Sequence, residues 1–209
     1  MAKKNAAFER QGYHHGNLKE ALIVAARQLI AERGVAGFTL IDAAKMAGVS
    51  AAAPYRHFTD RDALIQEVAQ RGGAEFAKRL GIAWQTGGEP ASAFALMGEA
   101  YLAFAREEPG YYAAMFSGTH KPPPAGDPAF GGLIAAIARV SESKGTAGDP
   151  RELAYQVWAL SHGLATLSAA GQIPRDRALK PETLLRNGVL ALMRGSSASG
   201  TPQKASSRV

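Results

Sequence analysis

The chain has 209 residues, of which 46% are hydrophobic and 20% charged, a composition that suffices for a packed core and excludes disorder throughout. It contains no cysteine, so disulfides and thiolate metal sites are excluded and we expect a protein of the reducing cytoplasm. The net charge of +6 is compatible with a nucleic-acid partner without requiring one, because basic residues outnumber acidic ones only by nine to six within residues 1–62.

Apolar residues recur at helical spacing in almost every segment, and no stretch alternates β-branched and polar residues between turns. The sequence therefore predicts an all-α fold, and without a long uncharged apolar run it predicts no membrane partner. We expect a flexible basic arm over residues 1–16, a small helical domain over 17–62, a larger helical domain over 63–194 and a disordered tail over 195–209.

The first helix is expected to follow Asn17 as N-cap and to end at Gly34. Two short helices separated by a turn at Gly48 are then predicted over Thr39–Phe58, with Val49 returning to the core. The first of these two has a predicted apolar inner surface made of Ile41, Ala43, Ala44 and Ala47. This arrangement is a helix-turn-helix.

The second short helix should start no earlier than Ser50, which can act as its N-cap, and should be brief because of Pro54. It would expose small, polar and cationic side chains, a composition suited to entering a groove in DNA. Small side chains permit close approach to base edges, while hydroxyl, imidazole, ammonium and guanidinium donors suit phosphates. The expected base readers are Ser50, Ala51 and Ala52; the expected phosphate contacts are Thr39, Lys45, Tyr55, Arg56, His57 and Arg61.

Longer helices follow the helix-turn-helix. Thr59 or Asp60 can cap a helix that leads from the small domain into the larger one, and an amphipathic helix is predicted from Pro90 to Glu108. Further helices are predicted near residues 128–143, 150–170 and 181–194.

Residues 17–65 resemble the DNA-binding domain of the TetR family of bacterial transcriptional regulators. The matching elements are Thr39, Ala43-Ala44, Ala47-Gly48-Val49-Ser50, Tyr55-Arg56-His57-Phe58 and Asp60-Arg61-Asp62. Pro54 departs from the pattern, since many relatives have Leu or another apolar residue there. A second segment, Trp158-Ala-Leu-Ser-His162-Gly163, resembles the Trp-x-x-x-His-Gly signature of one TetR subgroup.

The basic residues before the first helix admit two interpretations. Lys3, Lys4 and Arg10 either form an arm toward phosphate or the minor groove, or are a plain charged terminus. His14 and His15 are interpreted as arm residues and not as metal ligands, because no carboxylate or cysteine accompanies them.

The resemblance implies a small-molecule cavity and a homodimer in the larger half. Aromatic and adaptable side chains are expected near the cavity: Trp84, Met97, Tyr101, Phe104, Met115, Phe116 and His162. For His162 a satisfied core or interface histidine is the favoured alternative. Apolar faces on the last two helices are expected at the dimer interface, or else only in the monomer core: Leu153, Val157, Leu160, Leu164, Leu167, Leu185, Val189 and Leu192.

The predicted function is that of a ligand-responsive homodimeric repressor, without cofactor or metal, that binds a near-palindromic operator of double-stranded DNA. A helical adaptor that keeps the fold without binding DNA is the first alternative. Enzymatic activity is not expected, since no nucleophile elbow, phosphate loop, paired carboxylates or metal-ligand cluster stands out.

Overall fold

The computed structural model describes residues 18–117, 128–145, 148–174 and 179–198. Within these ranges all the long elements are α-helices, which confirms the all-α prediction. They are α1 (Leu18–Arg33), α2 (Leu40–Met46), a 3-10 helix (Ala53–Arg56), α3 (Arg61–Thr86), α4 (Pro90–Glu107), α5 (Pro109–Met115), α6 (Pro128–Lys144), α7 (Pro150–Ala169) and α8 (Pro181–Ala198). None of the helices in the described ranges is long and apolar enough to cross a membrane.

Several predicted features lie outside the described residues. They are the arm over 1–16 with Lys3, Lys4, Arg10, His14 and His15, the N-cap Asn17, and residues 199–209 of the tail. Residues 195–198, the beginning of the predicted disordered tail, are helical. Helix α8 continues through them, beyond its expected end at residue 194.

The first core joins α1, α2 and the start of α3. Leu22, Leu29 and Ile30 of α1 are fully buried against Phe58 and Leu64. Residue 34, a glycine with φ of 76°, ends α1 in the left-handed region that glycine adopts without steric cost. This core fixes the position of α2 and of the 3-10 helix.

The inner face of α2 differs from the prediction at one position. Leu40, Ala43 and Ala44 are buried, whereas Ile41 is 55% exposed. Adjacent helical residues are 100° apart, and Ile41 lies beyond the edge of the buried face. Ile41 is therefore a surface residue.

The second core lies among α3, α4, α6, α7 and α8, around buried Phe104 and Ile137. Helix α3 contributes to both cores, with Leu64 in the first and Phe76 in the second. The short helix α5 packs against α1 and α3, between the two cores. Two elements, α3 and α5, thus connect the two halves of the chain.

Candidate DNA-binding surface and ligand cavity

The 3-10 helix Ala53–Arg56 displays the residues that the sequence assigned to DNA. Pro54 and Phe58 are buried and fix the segment to the first core, while Tyr55 is 59% exposed. Pro54 sits in the first turn, where its missing N–H costs no hydrogen bond. The residues on either side of Pro54 have exposed side chains: Ser50, Ala51, Ala52, Tyr55, Arg56 and His57. The three expected readers and three of the six expected phosphate contacts are therefore exposed together in this segment.

The start of this helix corrects the expected cap. Ala52 is the N-cap and makes no side-chain cap hydrogen bond, whereas Ser50 contributes its carbonyl oxygen, which accepts from the Ala53 N–H at 3.0 Å. The recognition element is a single 3-10 turn, shorter than an α-helix that begins at Ser50.

Thr39 has a structural partner in Asp42. The Asp42 N–H donates to Thr39 Oγ1 at 3.1 Å, and the Thr39 hydroxyl and N–H both donate to Asp42 Oδ2, at 2.7 and 2.9 Å. These bonds from Thr39 lower the pKa of the Asp42 carboxyl. The hydroxyl proton of Thr39 is thus committed to a capping box that starts α2, which leaves it unsuited to the phosphate contact expected of it.

The other carboxylates of this region also have local partners. Asp60 accepts from the Ala63 N–H at 2.8 Å as N-cap of α3, and Asp62 pairs with Arg61 at 3.3 Å. In the part of the chain that the structure describes, neither Lys45 nor Arg56 forms an ion pair with a carboxylate. Both are exposed, so their charge is presented to solvent.

The larger half contains a cavity of about 920 Å³ that is partly open to solvent. Met97, Tyr101, Met115 and Phe116 line it, as the sequence suggested. Trp84, Phe104 and His162 are absent from the described lining; Phe104 is fully buried beneath the guanidinium of Arg79, and Trp84 packs against the second core. A volume near the upper end of the range of roughly 300–1,000 Å³ suits a drug-sized organic molecule.

Small residues that the sequence did not single out create the space of the cavity. Gly73 and Ala77 on α3 and Gly98 on α4 are among the lining residues. A Cβ atom built on Gly73 meets no atom within 4 Å, so its missing side chain leaves open space. Small residues at helical spacing predict close helix packing equally well, and the sequence therefore contained no signal for these three.

His162 lies beside the cavity in a network of uncharged hydrogen-bonding groups. Its Nδ1 is 2.8 Å from the Tyr112 hydroxyl and 3.3 Å from that of Tyr101, and the two hydroxyl oxygens are 3.4 Å apart. Burial lowers the pKa of His162 and raises the pKa values of both tyrosines. The favoured interpretation, a satisfied core histidine, agrees with this geometry.

Half of the residues expected at the dimer interface belong to the core of the chain itself. Four of them are buried, which agrees with the alternative that they serve only the monomer core: Leu153, Val157, Leu164 and Leu185. Leu160, Val189 and Leu192 are half-buried, and Leu167 is 43% exposed. The other exposed large apolar residues on these helices are Tyr155 and Leu190.

Helix α5 contacts both the cavity and helix α1. Its residue Met115 and the adjoining Phe116 line the cavity, while the ring of Tyr111 lies under the guanidinium of Arg27 in α1, 5.0 Å away. A Cβ atom on Gly110 would lie 2.1 Å from the main-chain oxygen of Arg27, so α1 and α5 touch through their backbones. Helix α5 therefore joins the cavity wall to α1 of the first core.

Both halves of the chain match models of known protein families. Residues 22–68 match the model of bacterial regulatory proteins of the tetR family, and residues 94–192 match that of the tetracyclin repressor-like C-terminal domain. The chain belongs to the TetR family and is a DNA-binding transcriptional regulator, which confirms the predicted class and disfavours the adaptor. No curated protein sequence matches it.

Solved structures share the fold along almost their whole length. A protein of unknown function from Rhodococcus sp. RHA1 is 28% identical, with a TM-score of 0.72 over 90% of this chain and 99% of that one. The TetR family regulator PfmR from Thermus thermophilus is 18% identical, with a TM-score of 0.63 over 83% and 97%. The fatty acid degradation regulator FadR from Bacillus halodurans is 15% identical, with a TM-score of 0.67 over 87% and 97%.

Proposed function

We propose that this regulator is a homodimeric repressor that binds a near-palindromic operator and releases it when a small molecule occupies the cavity. Residues 17–62 would form the DNA-binding domain and residues 63–194 the effector-binding and dimerisation domain. The single observation that carries this proposal is the position of α5, which contributes Met115 to the cavity wall and touches the backbone of α1 at Gly110. We also assign the chain to the TetR subgroup with the Trp-x-x-x-His-Gly signature, on the basis of Trp158, His162 and Gly163.

On the DNA side, Ser50, Ala51 and Ala52 would face base edges. Phosphates would be contacted by Lys45, Tyr55, Arg56, His57 and Arg61, whereas Thr39 would act indirectly by holding the start of α2. Phosphate contacts fix the register of the protein on DNA, and the small side chains allow base contact without adding bulk.

Release of the operator would follow from a change in the distance between the two recognition elements of the dimer. Two half-sites one turn apart require the recognition elements to be about 34–36 Å apart, so a displacement of a few Å loses register. A ligand that pushes on Met115 and Phe116 would move α5, and the backbone contact at Gly110 would transmit this movement to α1. Such a ligand acts only through its different affinity for the two states.

The dimer would form through the exposed sides of α7 and α8. Leu167 and Tyr155 on α7 and Leu190 on α8 are large apolar residues that the chain leaves partly exposed. Leu167→Glu is expected to convert a dimer to a monomer in light scattering, with Ile82→Glu as a control at an exposed apolar position of α3. A Leu167→Glu variant that remains dimeric would exclude this interface.

DNA binding is tested by fluorescence anisotropy on the region upstream of the regulator's own gene, against a scrambled duplex of equal length. We expect preference for the upstream region and a linear loss of log affinity with log salt concentration. Arg56→Ala should weaken binding to both duplexes and reduce the salt slope by about 1. Lys78→Ala, an exposed lysine of α3 in the other half, is the matched control. Equal affinity for both duplexes would refute the proposed operator recognition.

A further inference from the structure

We infer that the cavity accepts an uncharged, mainly apolar organic molecule with a hydroxyl, carbonyl or ether group, and that it discriminates against carboxylates and ammonium ions. This inference rests on the proposed function in that it treats the cavity as the effector site, and it specifies the chemical class of that effector. It is carried by the composition of the wall and by the position of the charged side chains among the described lining residues.

The interior wall is mostly apolar. Phe76, Phe94, Met97, Phe116, Leu133 and Val157 come from five different segments and face the same space. Burying apolar ligand surface against such a wall supplies the main favourable free energy of binding.

Two polar side chains among the described lining residues are buried, and neither carries a charge. Ser161 donates its hydroxyl proton to the Val157 carbonyl at 2.8 Å, and Tyr101 is hydrogen-bonded within the network of Tyr112 and His162. Their hydroxyl groups can exchange hydrogen bonds with a neutral ligand group. A carboxylate or ammonium ion at the same place would lose its hydration without gaining an opposite charge.

The network around Tyr101 is itself neutral near pH 7. Burial raises the pKa values of Tyr101 and Tyr112 and lowers the pKa of His162, so no member of the network becomes an ion at that pH. The network therefore offers hydrogen bonds to a ligand and no compensating charge.

The charged lining residues are partly or fully exposed and balanced in sign. They are Glu99, Glu182, Lys144 and Arg186. Arg186 pairs with Glu99 at 3.2 Å, and Glu182 pairs with Arg106 at 3.4 Å. Among the described residues Lys144 pairs with no carboxylate, but it is exposed, so water and salt screen its charge. The other three charges are compensated, and the set gives a ligand of either sign little net attraction.

The test uses three probes of equal chain length: decan-1-ol, decanoate and decylammonium, at pH 7.5 and without DNA. The full-length Trp84→Phe variant leaves Trp158, which lines the cavity, as the one tryptophan that reports binding by fluorescence. We expect decan-1-ol to bind about ten-fold more tightly than either ion, or better. Tighter or equal binding of an ion, or no binding of decan-1-ol, would overturn the inference.

A cavity-filling pair locates the bound probe. Gly73→Leu places a side chain in the open space of the cavity, and Gly81→Leu is the matched control on the same helix, with equally open surroundings but outside the lining. Leucine favours a helix over glycine, so both variants should keep or raise the unfolding temperature. We expect Gly73→Leu to weaken decan-1-ol binding about ten-fold and Gly81→Leu to leave it unchanged. Equal binding by both variants would place the probe elsewhere and refute the inference.

The two proposals fail separately in these experiments. Selective binding of decan-1-ol without any change in operator affinity would keep the ligand class and refute ligand-dependent release. Ligand-dependent release triggered by decanoate or decylammonium alone would keep the proposed function and refute the ligand class.

Discussion

Arg27 of α1 and Glu108, the residue between α4 and α5, form an ion pair with a distance of 2.7 Å between Nη1 and Oε2. The second carboxylate oxygen of Glu108 is 3.4 Å from Arg79 of α3. One carboxylate thus links a helix of the DNA-binding half to both connecting elements. Any movement of α5 has to strain or break these contacts, or carry α1 with it.

The Arg27–Glu108 pair should contribute modestly to stability, because both side chains are partly solvated. A double-mutant cycle with Arg27→Met and Glu108→Gln is expected to give a coupling free energy of about 0.5–1 kcal/mol in urea unfolding. Glu99→Gln is the control, since Glu99 pairs with Arg186 at 3.2 Å, outside this network. A cycle between Arg27→Met and Glu99→Gln should give no coupling, and equal coupling in both cycles would contradict a specific link.

Gly110→Ala should destabilise the fold because α1 and α5 meet at their backbones. The new methyl group would lie 2.1 Å from the Arg27 carbonyl oxygen, and main chain cannot yield as a flexible side chain does. We expect a loss of about 1–3 kcal/mol in the free energy of unfolding, measured by urea titration. Gly73→Ala, where nothing lies within 4 Å, should instead gain roughly 0.5–1 kcal/mol. Unchanged stability of Gly110→Ala would mean that the two helices can separate freely.

Thr39→Ala removes the capping box of α2. The expected loss is about 1 kcal/mol in the free energy of unfolding, whereas Thr39→Ser should retain most of the cap. At a temperature where all three proteins are folded, Thr39→Ser should bind operator DNA as the wild type does, because the hydroxyl acts on Asp42. Full stability in Thr39→Ala would show that the box contributes nothing.

The stability of the helix-turn-helix should depend on pH in the acid range, because the carboxyl group of Asp42 titrates there. Hydrogen bonds from Thr39 lower the folded-state pKa below the usual value of 3.8, so the unfolded chain takes up the proton first. This contribution is present above pH of about 4 and is lost as the pH falls through the lowered folded-state pKa. Urea unfolding between about pH 2.5 and 5 should therefore give a shallower acid decline for Asp42→Asn than for the wild type. Identical pH profiles would exclude the shift.

The helix-turn-helix was predictable because its signals are local. Asp60 caps the helix that follows it, and the glycine at position 48, with φ of 73°, occupies the turn expected of it. Local signals failed at the edges of this region. The pattern predicts Ile41 in the core, whereas the side chain is exposed. A helix of seven residues has too few apolar positions to define the limits of its buried face. The pattern also predicts Ser50 as the N-cap, because a serine directly before a run of alanines is typical of an N-cap.

The larger half was less predictable because an apolar helix face does not specify its partner. Leu153 and Leu185 have the spacing that suits either a dimer interface or a monomer core, and they are buried in the core. The aromatic residues of the cavity had a similar ambiguity: Phe116 lines the space, while Phe104 lies beneath Arg79.

The sequence by itself determined the helical class, the turn at Gly48 and the regulator family, because caps, turns and motif spacings depend on residues close together in the chain. Tertiary structure decided which apolar faces became core and where small residues such as Gly73 left a cavity. It also decided that α5 joins this cavity to α1. Those outcomes depend on distances between side chains that are far apart in sequence. Burial and empty space are properties of the packed chain and have no local pattern.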